Sequence, residues 1–292
     1  MAATAHHGRG LRWAYHAYVL LFLVYLVAPL ATAAVFAFND SSFPTLPWRG
    51  FTLDWFFGDS GDRVGMFHDR RLMSGLYNSV YIALAVSTLA VIVGTTNAFL
   101  FERRDFRGKE FCYVLMIMPL VIPGVIIGIS ILVFASGVAN NAEDVLGLRI
   151  DTLRPGIPLI VIGQFAFITT ITSLIIAARL RKFDSAMEEA ALNLGASRAR
   201  VLTTVTLPFL RPALIAGFLV AFLVSFENFN TTLMLVGSDA PLTITMYDRI
   251  AKVGSTPVIN AVSLFLMIIC GLLALTTVLV QRDGKSAADA AR

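Results

Sequence analysis

Six long apolar stretches recur along the chain, with polar segments between them. They run approximately Trp13–Phe38, Met73–Phe101, Phe111–Ser136, Gly156–Ala178, Ala213–Val236 and Val258–Val280. A helix needs roughly 20 mostly apolar residues to cross a bilayer core. Each stretch therefore predicts a membrane-spanning helix, and the Gly, Pro, Asp and Arg between them mark loops. The expected fold class is an all-α membrane protein with six transmembrane helices. The domain plan is a terminal segment 1–12, a six-helix domain 13–280 and a tail 281–292, of which Ser286–Arg292 is Ala-rich and expected to fray. No period of 20–50 residues repeats.

Composition agrees with this pattern. Of the 292 residues, 57% are apolar and 14% charged, whereas a soluble chain carries about 25% charged residues. A net charge of +4 is too small to point to nucleic acid. The two cysteines, Cys112 and Cys270, lie inside apolar stretches and offer neither a disulfide framework nor metal-ligand spacing.

The first stretch has a second reading. Arg9 and Arg12 precede it, and Ala31-Thr32-Ala33 resembles a signal-peptidase site. The apolar run is longer than a signal-peptide core and continues through Val35 and Phe38, so an uncleaved helix is expected. Lys and Arg then orient the spans. Arg103, Arg104, Arg107 and Lys109 crowd the short loop 102–109, and both termini and the segment 179–212 carry further basic residues. The other side holds Arg49, Arg63, Arg70, Arg71, Arg149, Arg154, Arg249 and Lys252. Both termini are therefore expected in the cytoplasm.

Two connecting segments are long. The outer loop 39–72 contains Pro44, Pro47, Trp48, Trp55 and Phe56. Its tryptophans suit either the headgroup level of the membrane or a small folded cap. The cytoplasmic segment 179–212 is more informative. Ser185 with Glu188 fits a capping box, so a short helix is expected to run to about Leu194. Gly195 suits a left-handed stop. Ser197 is placed to cap a second helix towards Leu207, with Pro208 and Pro212 punctuating the start of the fifth span.

Within that segment the chain reads Glu189-Ala190-Ala191, three residues, Gly195, nine residues, Val205, one residue, Leu207-Pro208. This resembles the EAA signature of ABC importer permeases, EAA-x3-G-x9-I-x-LP, with Val205 in place of Ile. Met118 to Gly124 in the third span looks like the proline-rich stretch of the same class. The tract Ser225–Thr232, the run Val236-Gly237-Ser238, Tyr247-Asp248 and Thr256–Ala261 look like the polyamine-type (spermidine/putrescine) subgroup. The resemblance implies a type I importer permease fold in the bacterial inner membrane. It implies that the loop helix, with Glu188, Glu189, Ala190, Ala191, Gly195, Leu207 and Pro208, is a coupling element docking on a separate ATPase. The implied partners are an ATP-binding-cassette ATPase dimer, a second permease chain (paralogous or identical) and an extracytoplasmic solute-binding protein, within the lipid bilayer. No cofactor is expected on this chain; ATP and magnesium belong to the ATPase. An amphipathic hairpin lying on the membrane is the reading the loop would have without the signature.

The chain has no G-x-x-x-x-G-K-[ST] run to cradle phosphates and no H-E-x-x-H or G-x-S-x-G pattern. It is expected to carry no catalytic residues and no metal site. Glu227 falls inside the fifth apolar stretch, where an ionised carboxylate costs about 2.5–3.5 kcal/mol on insertion scales. Asn230 and Thr231, three and four residues on, would share its helical face. This stripe lines a solute path or fixes helix packing; a carboxylate there suits a cationic solute. Gln164, Asn78, Ser79, Asn97, Thr169, Thr170, Thr172 and Ser173 are weaker candidates that suit structural hydrogen bonds. Pro119 and Pro123 should kink the third span, and Gly124 with Gly128 should admit a close neighbour. Kink and close contact together suit a gate. The rival readings are a secondary transporter, which needs several intramembrane charges and an inverted repeat, a membrane scaffold, and a permease for an opine-like or amino-acid-derived solute.

Overall fold

The computed structural model describes residues 9–290 other than 45 and 62. The rest of the predicted terminal segments, residues 1–8 and 291–292, lie outside the described residues. Among the described residues, six helices are long and apolar enough to span a membrane: Arg12–Phe36, Arg70–Arg103, Gly124–Leu146, Ile157–Leu180, Arg198–Phe226 and Pro257–Thr276. The six-span expectation holds, with the third and fifth spans placed differently. The described residues form two compact units, one of 9–70 with 249–269, the other of 71–248 with 270–290.

In the first unit, α1 (Arg9–Phe36) buries none of its apolar window against the chain. The following loop folds into a small cap. Backbone bonds from Asp40 N to Gly50 O and from Thr52 N to Phe38 O pair its two arms. A four-residue helix α2 (Asp54–Phe57) leads into the antiparallel pair β1 (Asp59–Ser60) and β2 (Arg63–Val64). Asn39 and Trp55 are buried, and the Trp55 indole Nε1 donates to Asn39 O at 2.8 Å. This settles the two readings of Trp55 in favour of the cap: its N–H is used inside the fold. Trp48 stays exposed. Arg63 pairs with Asp40 and stands over the Trp55 ring, and Arg249 pairs with Asp69.

The second unit is built around α6 (Ile157–Leu180), over half of whose apolar window is buried. α3 (Arg70–Arg103) and α9 (Leu207–Phe226) lie against it. A Cβ on Gly94 of α3 or on Gly217 of α9 would come within 3.1 and 3.2 Å of the Thr172 side chain, so these glycines set the close approach. Ile82, Val86, Leu159, Ile160, Ile168, Ala221 and Leu235 form one apolar core; Ala98, Ile176, Leu180, Phe183 and Leu210 form another near the 179–212 segment.

The third apolar stretch is broken rather than kinked. It gives α4 (Lys109–Ile117), a 3-10 turn Met118–Leu120, and α5 (Gly124–Leu146). Pro119 and Pro123 each lack the N–H a continuous helix requires; Pro119 falls in the turn and Pro123 becomes the residue before α5. The spanning helix is α5, displaced from the predicted Phe111–Ser136. The fifth stretch breaks too. α9 ends at Phe226, and α10 (Asn230–Leu235) restarts after Glu227-Asn228-Phe229. Here Asn228 Oδ1 accepts from the Thr232 N–H and hydroxyl, at 3.3 and 3.0 Å. A side chain that satisfies the backbone locally competes with a continuous helix. α11 (Leu242–Val253) follows, and α12 (Pro257–Ala290) continues well beyond the predicted end of the sixth span.

Candidate functional site

The 179–212 segment folds as a helix, a glycine turn and a second helix, but the second helix is continuous with the fifth span. α7 (Ala186–Asn193) comes first. Ser185 itself has helical backbone angles and makes no side-chain cap. The cap is Asp184, whose Oδ1 accepts from Ala186 N at 2.9 Å. The predicted Ser185–Glu188 capping box is therefore absent, because Glu188 is engaged elsewhere. α7 ends in a Schellman turn: Gly195 N donates to Leu192 O, Ala196 N donates to Ala191 O, and Gly195 has φ +87°. No atom lies within 4 Å of a Cβ placed on Gly195, so the requirement there is conformational rather than steric.

Ser197 does cap the next helix, accepting from Arg200 N at 3.3 Å. α8 (Arg198–Val201) passes through a π-turn, Leu202–Thr206, directly into α9. Pro208 lies just after the π-turn, where the regular i→i+4 bonding is already interrupted. Leu207 is half-buried and Pro208 exposed.

The two glutamates at the start of the signature point to different surroundings. Glu188 is half-buried: Thr206 Oγ1 donates to its Oε1 at 2.6 Å, and Arg103 Nη2 at the end of α3 lies 3.6 Å away. Arg103 also stands over the Phe183 ring, 5.4 Å from its centroid. Glu189 is exposed, and its carboxylate makes no hydrogen bond or ion pair among the described residues. Beside it Met187, Ala190, Leu192 and Leu194 are exposed, Leu194 by 89%. Ala191 is half-buried. α7 thus has one face tied to its own chain and one face open. Nearby, Arg181 donates to Glu102 Oε1 at 2.8 Å, and this hydrogen bond, with the Glu102 charge, raises the Arg181 pKa above its ordinary value. Thr206 and Arg103 were not legible as site residues, since each becomes relevant only through a contact with Glu188.

The polar stripe expected at Glu227, Asn230 and Thr231 does not form. Glu227 is the residue that caps the end of α9, and α10 begins only at Asn230, so the helical spacing that would align the three is interrupted. Glu227 and Asn230 are exposed, whereas Thr231 is buried and donates to Gly124 O at 3.2 Å. The Glu227 carboxylate makes no hydrogen bond or ion pair among the described residues. The packing role belongs to its neighbours. Gln164, 1% exposed, donates to Thr232 Oγ1 and accepts from Ser225 Oγ, joining α6, α9 and α10. α5 fits tightly against α10: a Cβ on Gly124 would lie 3.0 Å from Thr231 Oγ1, and one on Gly128 would lie 2.9 Å from Thr231 O. The close neighbour expected at these two glycines is thus α10. Tyr247 of α11 packs on Phe229 with ring centroids 5.0 Å apart, which adds an aromatic pair to the open break around Glu227.

Similarity to known proteins matches this architecture. Residues 87–282 match the family described as "binding-protein-dependent transport system inner membrane component". The putrescine transport system permease protein PotI of Escherichia coli (strain K12) is 30% identical over 250 residues, covering 85% of this chain and 84% of that protein. The spermidine/putrescine transport system permease protein PotC of Haemophilus influenzae (strain ATCC 51907 / DSM 11121 / KW20 / Rd) is 26% identical over 267 residues, covering 91% of this chain and 96% of that protein. Among solved structures, a bacterial ABC transporter involved in the import of the acidic polysaccharide alginate has a chain that matches with a TM-score of 0.69. The match covers 94% of this chain and 96% of that one at 16% identity, and it speaks for the fold alone. The six spanning helices, the signature segment between the fourth and fifth, and these similarities together place the chain in the family of binding-protein-dependent transport system inner membrane components, as a multi-pass ABC importer permease.

Proposed function

We propose that this chain is the permease subunit of an importer for a small cationic solute of the polyamine class. A separate ATP-binding-cassette ATPase dimer, which binds the ATP and magnesium, drives it. The observation that carries the reading is the divided surface of α7: Glu188 is held by its own chain, while Glu189, Met187, Ala190 and Leu194 stand open. An exposed short helix with an unpaired carboxylate and small residues suits docking in a groove of another protein. An extracytoplasmic solute-binding protein delivers the solute, and a second permease chain, paralogous or identical, completes the path. The basic loop 102–109 and the basic 179–212 segment favour a cytoplasmic location for both termini and for α7.

Transport then follows from two states of one path. ATP binding favours one arrangement of the docked ATPase, and the permease shifts its population accordingly. Pro119, Pro123 and Gly124 sit where the α4–α5 break meets α10, the natural place for a gate. The polyamine assignment rests on the PotI and PotC similarity and on Glu227, an open carboxylate at the α9–α10 break, flanked by Asn230 and near the Phe229–Tyr247 pair. Carboxylate and aromatic faces both attract ammonium groups.

The test is ATP hydrolysis by the complex reconstituted in liposomes with its ATPase and binding protein, across a panel of solutes. Putrescine or spermidine should stimulate hydrolysis and accumulate inside. Stimulation by an opine-like or amino-acid-derived solute alone would overturn the solute assignment. A chain that copurifies with no ATPase would overturn the importer reading.

A further inference from the structure

The glutamate one position before the signature Glu189-Ala190-Ala191 is joined to two other parts of the chain at once. Glu188 Oε1 accepts from Thr206 Oγ1 at 2.6 Å, and Thr206 is 1% exposed and closes the π-turn Leu202–Thr206 at the foot of α9. The same oxygen lies 3.6 Å from Arg103 Nη2, just outside hydrogen-bond range. That Nη2 is buried and has no hydrogen-bond partner among the described residues. A buried guanidinium nitrogen without a hydrogen-bond acceptor is costly, so a carboxylate shift of about an ångström would turn the ion pair at 3.6 Å into a charge-assisted hydrogen bond. The π-turn is itself an interruption of the regular α-helical bonding, and such single-turn π-bulges inside helices are frequent at functional sites. Thr203 and Thr204 donate back to the carbonyls of Ala199 and Arg200, loading the same turn with side-chain bonds.

We propose that Glu188 is the transmission residue of this subunit: its carboxylate passes from Thr206 towards Arg103 when α7 is displaced, freeing the π-turn and letting α9 move. Glu189 faces outward to the partner, and Glu188 faces inward to the chain. The proposal rests on the docking reading of α7 and adds the step by which a push on α7 reaches the spanning helix. It makes Thr206 a positioning residue, since its hydroxyl is the group Glu188 holds in the resting arrangement.

The experiment uses the intact complex with its ATPase, in a background where Cys112→Ser and Cys270→Ser remove native thiols. Spin labels are placed at Asn193→Cys (the exposed last residue of α7) and Ile215→Cys (α9), each paired with Val133→Cys (α5). ATP, magnesium and vanadate should shift both distances in the parent complex. With Glu188→Ala or Thr206→Val, the Asn193 distance should still shift, while the Ile215 shift falls at least about threefold. Thr206→Ser should restore it, and the double variant Glu188→Ala/Thr206→Val should be no worse than either single one, as expected for one shared contact. A full Ile215 shift in both single variants overturns the proposal. Absence of the Asn193 shift in the parent overturns the docking reading instead, so the two failures are distinct. Thr206→Val keeps the side-chain volume and Thr206→Ser keeps the hydroxyl at the loss of one methyl, so the comparison survives even if Glu188→Ala fails to assemble.

Discussion

Gln164 Nε2 donates to Thr232 Oγ1 at 2.8 Å and so ties the middle of α6 to the first turns of α10. Ser225 Oγ donates to the other end of the same amide. One buried side chain therefore joins the two pieces of the interrupted fifth apolar stretch, and satisfies the polar groups that the interruption leaves. Gln164→Leu conserves shape but deprives the buried Ser225 hydroxyl of its acceptor and leaves the Thr232 hydroxyl with Asn228 alone. It should destabilise the second unit by about 1–3 kcal/mol, read as a lower Tm in detergent. An unchanged Tm would remove the network from the account of the break.

Glycine positions on α5 separate close packing from open surface. A Cβ on Gly128 would meet Thr231 O and the Met234 Cβ, both at 2.9 Å, whereas a Cβ on Gly137 would meet nothing within 4 Å. Gly128→Ala should cost about 1–3 kcal/mol through forced backbone shifts. Gly137→Ala should be neutral or slightly stabilising, because alanine is the better helix former. Thermal unfolding of the two variants side by side tests the α5–α10 contact.

At Gly195 the backbone angle matters and the space does not. A β-branched residue in the left-handed region costs about 1–2 kcal/mol, so Gly195→Val should disrupt the Schellman turn and reduce ATPase copurification. Gly195→Asn should retain it, since asparagine accepts that conformation. Equal losses in both variants would mean that bulk, rather than conformation, is what the position excludes.

The Arg181–Glu102 pair is a contrast. It is short, at 2.8 Å, but the Arg181 side chain is more than half exposed. Exposed pairs contribute about 0–1 kcal/mol. Arg181→Ala should therefore leave Tm and transport nearly unchanged, and a large loss in either would point to a contact outside this chain.

Glu227→Gln removes charge from the open break between α9 and α10. Uptake of a cationic solute should show a KM raised roughly fivefold, the factor of about 1 kcal/mol for one exposed charge attraction. Complex assembly should be unchanged. An unaltered KM would take Glu227 out of the solute path.

The alternation of apolar and polar stretches was enough to determine six membrane helices, because the length needed to cross a bilayer is written in local composition. The signature spacing from Glu189 to Pro208 was equally legible. So was the Gly195 stop, since a left-handed residue is a local property of glycine. Local reading failed where a side chain had two possible partners. Ser185 and Glu188 had the pattern of a capping box, but Glu188 is taken by Thr206, 18 residues away. Glu227, Asn230 and Thr231 had the spacing of one helical face, but the helix ends just before the first of them. Hydropathy could not see that end, because the residues at the break are flanked by apolar ones. It is stabilised instead by Asn228 and by Gln164, the latter 61 and 68 residues from its partners. Composition and short-range spacing thus determined which segments enter the membrane and where the loop turns. The tertiary structure alone decided where the spans break and which glutamate faces inward, because those outcomes depend on hydrogen-bond partners brought together from distant parts of the chain.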